Sequence, residues 1–410
     1  MSYWDRMDDA KHLSIVVGGG AMAVMVTVGL LAGNSSPRHH VVANPGPELT
    51  AWVTSTPLSG TNRLYGTVTT RSGQTHTGFI RWDRNEGSWA DLLDATKLND
   101  RGRSATLSGL RFGHVQRIDV TGRESARFTL RSGQRIQFGS QASDLGTGLR
   151  ALTVDKHDNS QAEFEWRDLR AVEFSQAPSG ARPPNGRLYG TMTTRSGHQF
   201  TGYVTWDVDE IYSSDILDGD LRGKRQQIPF GAIASIDRVN SGAARVMLHS
   251  GEEMVLRGTN DVNRRNSGIS VSDPALGQVK VGWEAFDNVR FHGTDQESRL
   301  TDFGLAGALK GTVVTTSGDE YFGVVRWDRD ESHVWELLDG EHRGIEFKIE
   351  LGNVDQIDKT LRGVRVTLKD GRVFDLYGSN DVDHRNRGIA VGTQGRVVDW
   401  DDFELFRLEG

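Results

Sequence analysis

The side chains best equipped for chemistry in this chain are oxygen-bearing ones that follow a recurring tryptophan. Asp83, Asn85 and Glu86 follow Trp82; Asp207, Asp209 and Glu210 follow Trp206; Asp328, Asp330 and Glu331 follow Trp327. Further carboxylates come later as Asp94, Asp218 and Asp339. Oxygen ligands at alternate positions suit a hard cation, which makes Asp83, Asp207, Asp209, Asp328, Asp330 and Glu331 candidate calcium ligands. Against calcium, no glycine-bearing calcium loop is present. The alternative is a solvated turn in which each Asp bonds its own backbone.

A second constellation lies in GTNDVNRRNSGISV, from Gly258, and GSNDVDHRNRGIAV, from Gly378. The stretch from Gly139, GSQASDLGTGLRAL, departs from it. Shared polar residues are Asn260, Asp261, Arg265 and Asn266, mirrored by Asn380, Asp381, Arg385 and Asn386. Asn260, Arg265, Asn380 and Arg385 are candidates for gripping a partner, since arginine matches carboxylate or phosphate geometry. The alternative is an internal clamp, with the loop held by its own side chains. Trp89 and Trp335, in the loops after the recurring tryptophans, are candidate anchors for a partner surface; the second copy has Ser213 there.

Other chemistry is missing. There is no cysteine, hence no thiolate nucleophile, disulfide or zinc-thiolate site. No G-x-S-x-G elbow occurs. GDLRGK at 219–224 is too short in its glycine spacing for a phosphate loop, and Gly146 with Gly148 is only a fragment of a dinucleotide fingerprint. The histidines are scattered. The expectation is no catalytic residue, no cofactor and no small-molecule substrate. A net charge of −7 with mixed signs argues against nucleic acid as a partner.

These residues sit on a tripled framework. LYGTVTTRSGQTHTGFIRWD at 64–83 returns as LYGTMTTRSGHQFTGYVTWD at 188–207 and as LKGTVVTTSGDEYFGVVRWD at 309–328. ADLLD, SDILD and WELLD follow at matched distances. Each unit also repeats within itself, TTRSGQ at 69–74 matching TLRSGQ at 129–134. Every half closes on three apolar residues spaced by three, such as Phe112, Val115, Ile118 and then Trp166, Leu169, Val172. That spacing predicts a strand end, one tight helical turn and another strand. The openings predict hairpins turned at Ser-Gly. Gly78, Gly202 and Gly323, inside strands, predict bends.

The pattern of bent hairpin, further strand, single helical turn and last strand resembles small β-barrels of the Sm-like or Src-homology kind. The resemblance implies an all-β fold and no particular activity. The expected domains are 60–175, 187–291 and 308–409, each of two barrel-like halves or one larger sandwich. The linker at 175–187 is rich in proline and glycine, whereas that at 292–308 has no proline, which predicts closer packing of the second and third units.

Ahead of the repeats stand a tail at 1–12, an uncharged run at 13–33 and a linker at 34–59. Leu13 to Gly33 is long enough to span a bilayer as one helix, with Gly19 and Ala23 spaced for helix packing. A cleaved signal peptide is the rival reading, disfavoured by the acidic leader and the lack of a small-residue cleavage site close behind the run. Arg6 and Lys11 before the run favour a cytoplasmic N-terminus and periplasmic repeats in a bacterial inner membrane. The chain as a whole suggests a single-pass, non-enzymatic scaffold bracing other membrane-complex proteins and touching lipid through residues 13–33. In this it is similar to an accessory subunit of a bacterial photosynthetic reaction-centre complex. The alternative is an envelope protein that binds carbohydrate or peptidoglycan through exposed aromatic platforms.

Overall fold

The computed structural model describes residues 62–98, 104–140, 144–294, 298–304, 307–393 and 395–409, with backbone alone at 104–108. Among them every regular element is a strand or a single 3-10 turn, in three antiparallel sheets of ten, twelve and eight strands. No helix there is long and apolar enough to cross a membrane. The span expected at 13–33, with Gly19 and Ala23, lies outside the described residues, as do the tail and the linker at 34–59.

The first repeat defines the plan. Its strands are β1 (Tyr65–Thr70), β2 (Thr75–Trp82), β3 (Leu92–Leu98), β4 (Ser104–Arg111), β5 (Val115–Gly122), β6 (Ser125–Leu130), β7 (Arg135–Gly139), β8 (Leu152–Asp155), β9 (Gln161–Phe164) and β10 (Leu169–Phe174). The apolar triplets fold as their spacing requires, with 3-10 turns at Phe112–His114 and Trp166–Asp168 leading into β5 and β10.

The two halves are not separate units, however. The sheet runs β4-β3-β7-β6-β5-β10-β1-β2-β8-β9. Strands β1 and β2 therefore join β8, β9 and β10 of the second half, while β6 and β7 join β3, β4 and β5 of the first. Each five-stranded set borrows from both halves, which corrects the expectation of self-contained halves. The reason is local. Only residues 123 and 124 separate β5 from β6, and so short a connection makes the two strands a hairpin. β5 is thereby committed to the second half, and β10 takes its place beside β1. The sets meet where β5 pairs with β10, Ile118 facing Val172. The same join is Ile236 to Val289 in the second repeat and Ile357 to Phe406 in the third. All six are the last members of their triplets.

The glycines expected to bend their strands lie opposite a second glycine, in register that continues unbroken on either side. Gly66 faces Gly78, Gly190 faces Gly202 and Gly311 faces Gly323. A Cβ on Gly78 would stand 2.1 Å from the Asp155 carbonyl oxygen, and one on Gly66 2.2 Å from that of Glu173. The hairpin is pressed between two neighbouring strands that leave no room for a side chain.

The repeats pack on one another. Strand Gly277–Val281 of the second repeat pairs with Ile345–Glu350 of the third, so one sheet runs through both. Their buried apolar residues form a single cluster. The first repeat has its own cluster, which takes in Tyr203, Phe303 and Trp335.

Candidate functional site

The two polar constellations turn out to be one site, built three times. At the end of the bent hairpin, Asp83 and Arg84, Asp207 and Val208, and Asp328 and Arg329 all have φ between 40° and 71°, two successive left-handed residues as in a type I′ turn. The turn directs the first Asp inward. Asp83, Asp207 and Asp328 are buried. Each accepts a backbone N–H from the facing loop: Arg150, Ser267 and Arg387 respectively. Asp207 also accepts from Asn260 Nδ2, and Asp328 from Asn380 Nδ2 at 2.6 Å. Arg150 and Arg387 add guanidinium contacts to Asp83 and Asp328.

The recurring tryptophan completes the latch. Trp82, Trp206 and Trp327 are fully buried. Their Nε1 groups donate to the carbonyl oxygens of Asp144, Asp261 and Asp381 at 2.9, 3.0 and 2.9 Å. The carboxylates of those same aspartates accept the backbone N–H groups of Asp94, Asp218 and Asp339. A hairpin end, a polar loop and the next strand are thus tied together by indole, carboxylate and amide.

Sequence comparison overlooked Asp144, because the loop after Gly139 puts it five positions on, whereas Asp261 lies three after Gly258. The recurring Trp82 was the available clue, since its indole N–H needs an acceptor once buried.

Asp83, Asp207, Asp328 and Asp330 therefore act as hydrogen-bond acceptors within the fold. Among the described residues no three His, Cys, Asp or Glu side chains are grouped so as to hold a metal ion. Asp330 receives the Arg387 guanidinium, and Asp209 lies 3.8 Å from that of Arg150. Arg385 is engaged by Asp383, and Arg265 donates to the Gly258 carbonyl oxygen; both guanidinium groups reach solvent.

Trp89 and Trp335 are fully buried, which corrects their assignment as anchors for an outside partner. Trp89 packs edge-on against Phe174 at 6.3 Å. Trp335 is an anchor, but for the first repeat of its own chain. Its Nε1 donates to Gln134 Oε1, and the Lys97 ammonium lies 5.8 Å from its ring. The aromatic platforms that carbohydrate binding would use are absent at these two positions.

Electrostatically, each latch holds a buried glutamic acid whose carboxyl is pushed toward its protonated form. Burial, then the neighbouring carboxylates, push Glu210 and Glu331 up to about 10 and Glu86 well above its ordinary value. Burial and nearby acids likewise raise Asp144 to about 7, Asp261 to about 6 and Asp381 to about 8. A carboxyl raised in the folded state binds its proton more tightly there than in the unfolded chain. Its contribution is full below the unfolded value and is lost as pH rises through the folded one. Stability should therefore decline from roughly pH 5 toward pH 9. Glu331→Gln, which mimics the neutral acid, should match the wild type at pH 5 and exceed it at pH 8 by about 1–3 kcal/mol. Urea unfolding at the two pH values measures this, and parallel pH profiles would refute it.

Other charges join the repeats. Arg187 pairs with Asp91, both buried. Arg81 pairs with Asp215, and Lys97 with Glu336. Asp91, Asp215 and Glu336 are the first acids of ADLLD, SDILD and WELLD. Each accepts two backbone N–H groups of its own loop besides its partner from another repeat. Glu350 meets Arg111 and His114 of the first repeat.

Comparison with protein-family models, with curated proteins and with solved structures finds no match to this chain.

Proposed function

We propose that this chain is a non-enzymatic scaffold, held at a membrane by residues 13–33, that braces other proteins of a membrane complex through its β-repeats. In this reading each five-stranded set is a small bent barrel of the Sm-like kind, and the three domains at 60–175, 187–291 and 308–409 present their outer faces to neighbours. The recurring polar groups latch each repeat and join it to the next, so their role is to set the shape of the array.

One observation carries the reading. On the outward face of the third repeat's strand Glu320–Arg326, Phe322 and Val324 are 58% and 45% exposed, and Val397, two strands away in the same sheet, is 37% exposed. Val324 stands where the other repeats have Phe79 and Tyr203, which are 2% and 1% exposed. Tyr65 packs on Phe79, and Tyr189 packs on Tyr203. The segment that follows the second repeat also reaches Tyr203, whose hydroxyl accepts the Ser298 N–H. An apolar face covered twice and bare once favours a contact with another protein.

The test is co-purification of the full chain from membranes in mild detergent, wild type beside a Phe322→Ser, Val324→Ser double variant. A partner present at stoichiometric level with the wild type and reduced at least about tenfold with the variant supports the proposal. Equal recovery, or a purified wild type that carries no protein and turns over a small substrate, overturns it.

A further inference from the structure

Where the sheet passes from the second repeat into the third, a groove of about 530 Å³ opens, lined by Arg195, Ser196, Gly282, Ala285, Arg343 and Gly344, with Glu284 at its side. The pairing of Val281 with Ile345 brings Gly282 next to the Arg343–Gly344 turn. A Cβ on Gly344 would touch that of Ala285 at 3.5 Å.

The other repeats place acids at the matching positions. Arg71 donates its backbone N–H to the Asp168 carbonyl oxygen, as Arg195 does to that of Ala285 and Thr316 to that of Asp402. Ala285 therefore stands where the first and third repeats have Asp168 and Asp402. Three positions earlier, Gly282 stands where they have Glu165 and Asp399. The second repeat has lost both carboxylates, and the third repeat adds a second guanidinium, that of Arg343.

The charge left in the groove is uncompensated. Neither Arg195 nor Arg343 has an ion pair among the described residues; Arg195 reaches only the Glu284 carbonyl oxygen. The Glu284 carboxylate is engaged by Arg238. His198, bonded to Ser196, stacks edge-on with His342 at 5.4 Å. Burial, followed by His342 and Arg343, holds the His198 imidazole below its ordinary value. Arg343 is also at φ 49°, a region that a residue other than glycine enters at a cost. Two arginines that line one groove from different repeats, neither ion-paired among the described residues, are matched by an anion that both can bond.

We propose that this groove binds an oxyanion, a phosphate or carboxylate group bridged by Arg195 of the second repeat and Arg343 of the third. The ligand would bear on the joint between the two repeats, because its two arginines come from opposite sides of it.

Histidine-selective NMR of the full chain tests this, with inorganic phosphate in one arm and acetate in the other, at constant ionic strength set with chloride. A saturable response of His198 and His342, with Kd on the order of 1–10 mM and an upward shift of the His198 titration by about half a unit, is expected. Response to both anions defines a general oxyanion site, and response to phosphate alone defines a phosphate site. Arg343→Gln should weaken binding at least about tenfold. Gly282→Glu with Ala285→Asp, which restores the acids of the other repeats, should abolish it; at Gly282 an added Cβ meets no heavy atom within 4 Å. A non-saturating response in both arms, or the same affinity in wild type and both variants, would overturn the site.

Discussion

Asp91→Ala should lower the unfolding free energy by about 3–5 kcal/mol. Asp91 is 2% exposed and Arg187 is 8% exposed. The carboxylate accepts from Arg187 Nε and Nη2 at 3.3 and 3.1 Å and from the backbone N–H groups of Gly87 and Ser88 at 2.8 Å each. Removing it leaves a buried guanidinium without its counter-charge and two amides without an acceptor. The other partners of Arg187 are carbonyl oxygens of Val204 and Ile211 and the Thr205 hydroxyl, all neutral. Adding Arg187→Met should recover a large part of the loss, because the main cost of the single change is the stranded charge. Chemical unfolding of the two variants measures both figures. A single-variant loss below about 1 kcal/mol would mean that water reaches Arg187 and that the pair does not join the first two repeats.

Trp335→Ala should cost about 3–5 kcal/mol, with the damage falling on the contact between the third repeat and the first. The indole is fully buried in the first repeat's apolar cluster. Beside it Lys97 pairs with Glu336, and Gln134 lies 3.1 Å from His333 Nε2. Emptying that space exposes the underside of the first repeat. Trp335→Phe should lose much less, about 1–2 kcal/mol, since most of the ring contact survives and only the bond to Gln134 goes. Hydrogen exchange should place the extra opening of the alanine variant in both repeats. If only residues near position 335 lose protection, the tryptophan supports its own loop and does not join repeats.

Both predictions concern contacts that no stretch of sequence displays. Local features were legible. The tripled segment, the Ser-Gly hairpin turns, the need for glycine inside the hairpin strands and the spacing-of-three turns all appear where the pattern places them. Each depends on neighbours within a few residues: alternation along a strand, a left-handed turn position, one turn of helix. The missing proline at 292–308 likewise preceded a close union of the second and third repeats.

Which strand pairs with which was decided by the tertiary structure. β3 and β8 are equivalent in the internal repeat and both are hairpin strands carrying buried apolar residues, so hydrophobic pattern cannot say which of them follows β2. The two-residue turn between β5 and β6 decides it, because it forbids the halves from parting. The sites follow the same logic. Sequence separates Asp207 from Asn260 and Asp328 from Asn380, and it offered two constellations; the exchange of strands brings each pair into hydrogen-bonding contact. Burial of Trp89 and Trp335 also depended on packing, since a tryptophan in a loop is equally suited to a neighbouring repeat and to another protein. Composition and period thus determined the β-architecture and its threefold duplication. Long-range pairing, whose cost lies in closing the chain over many residues, decided the exchange of halves, the joining of repeats and the ion pairs of Asp91, Asp215 and Glu336 between them.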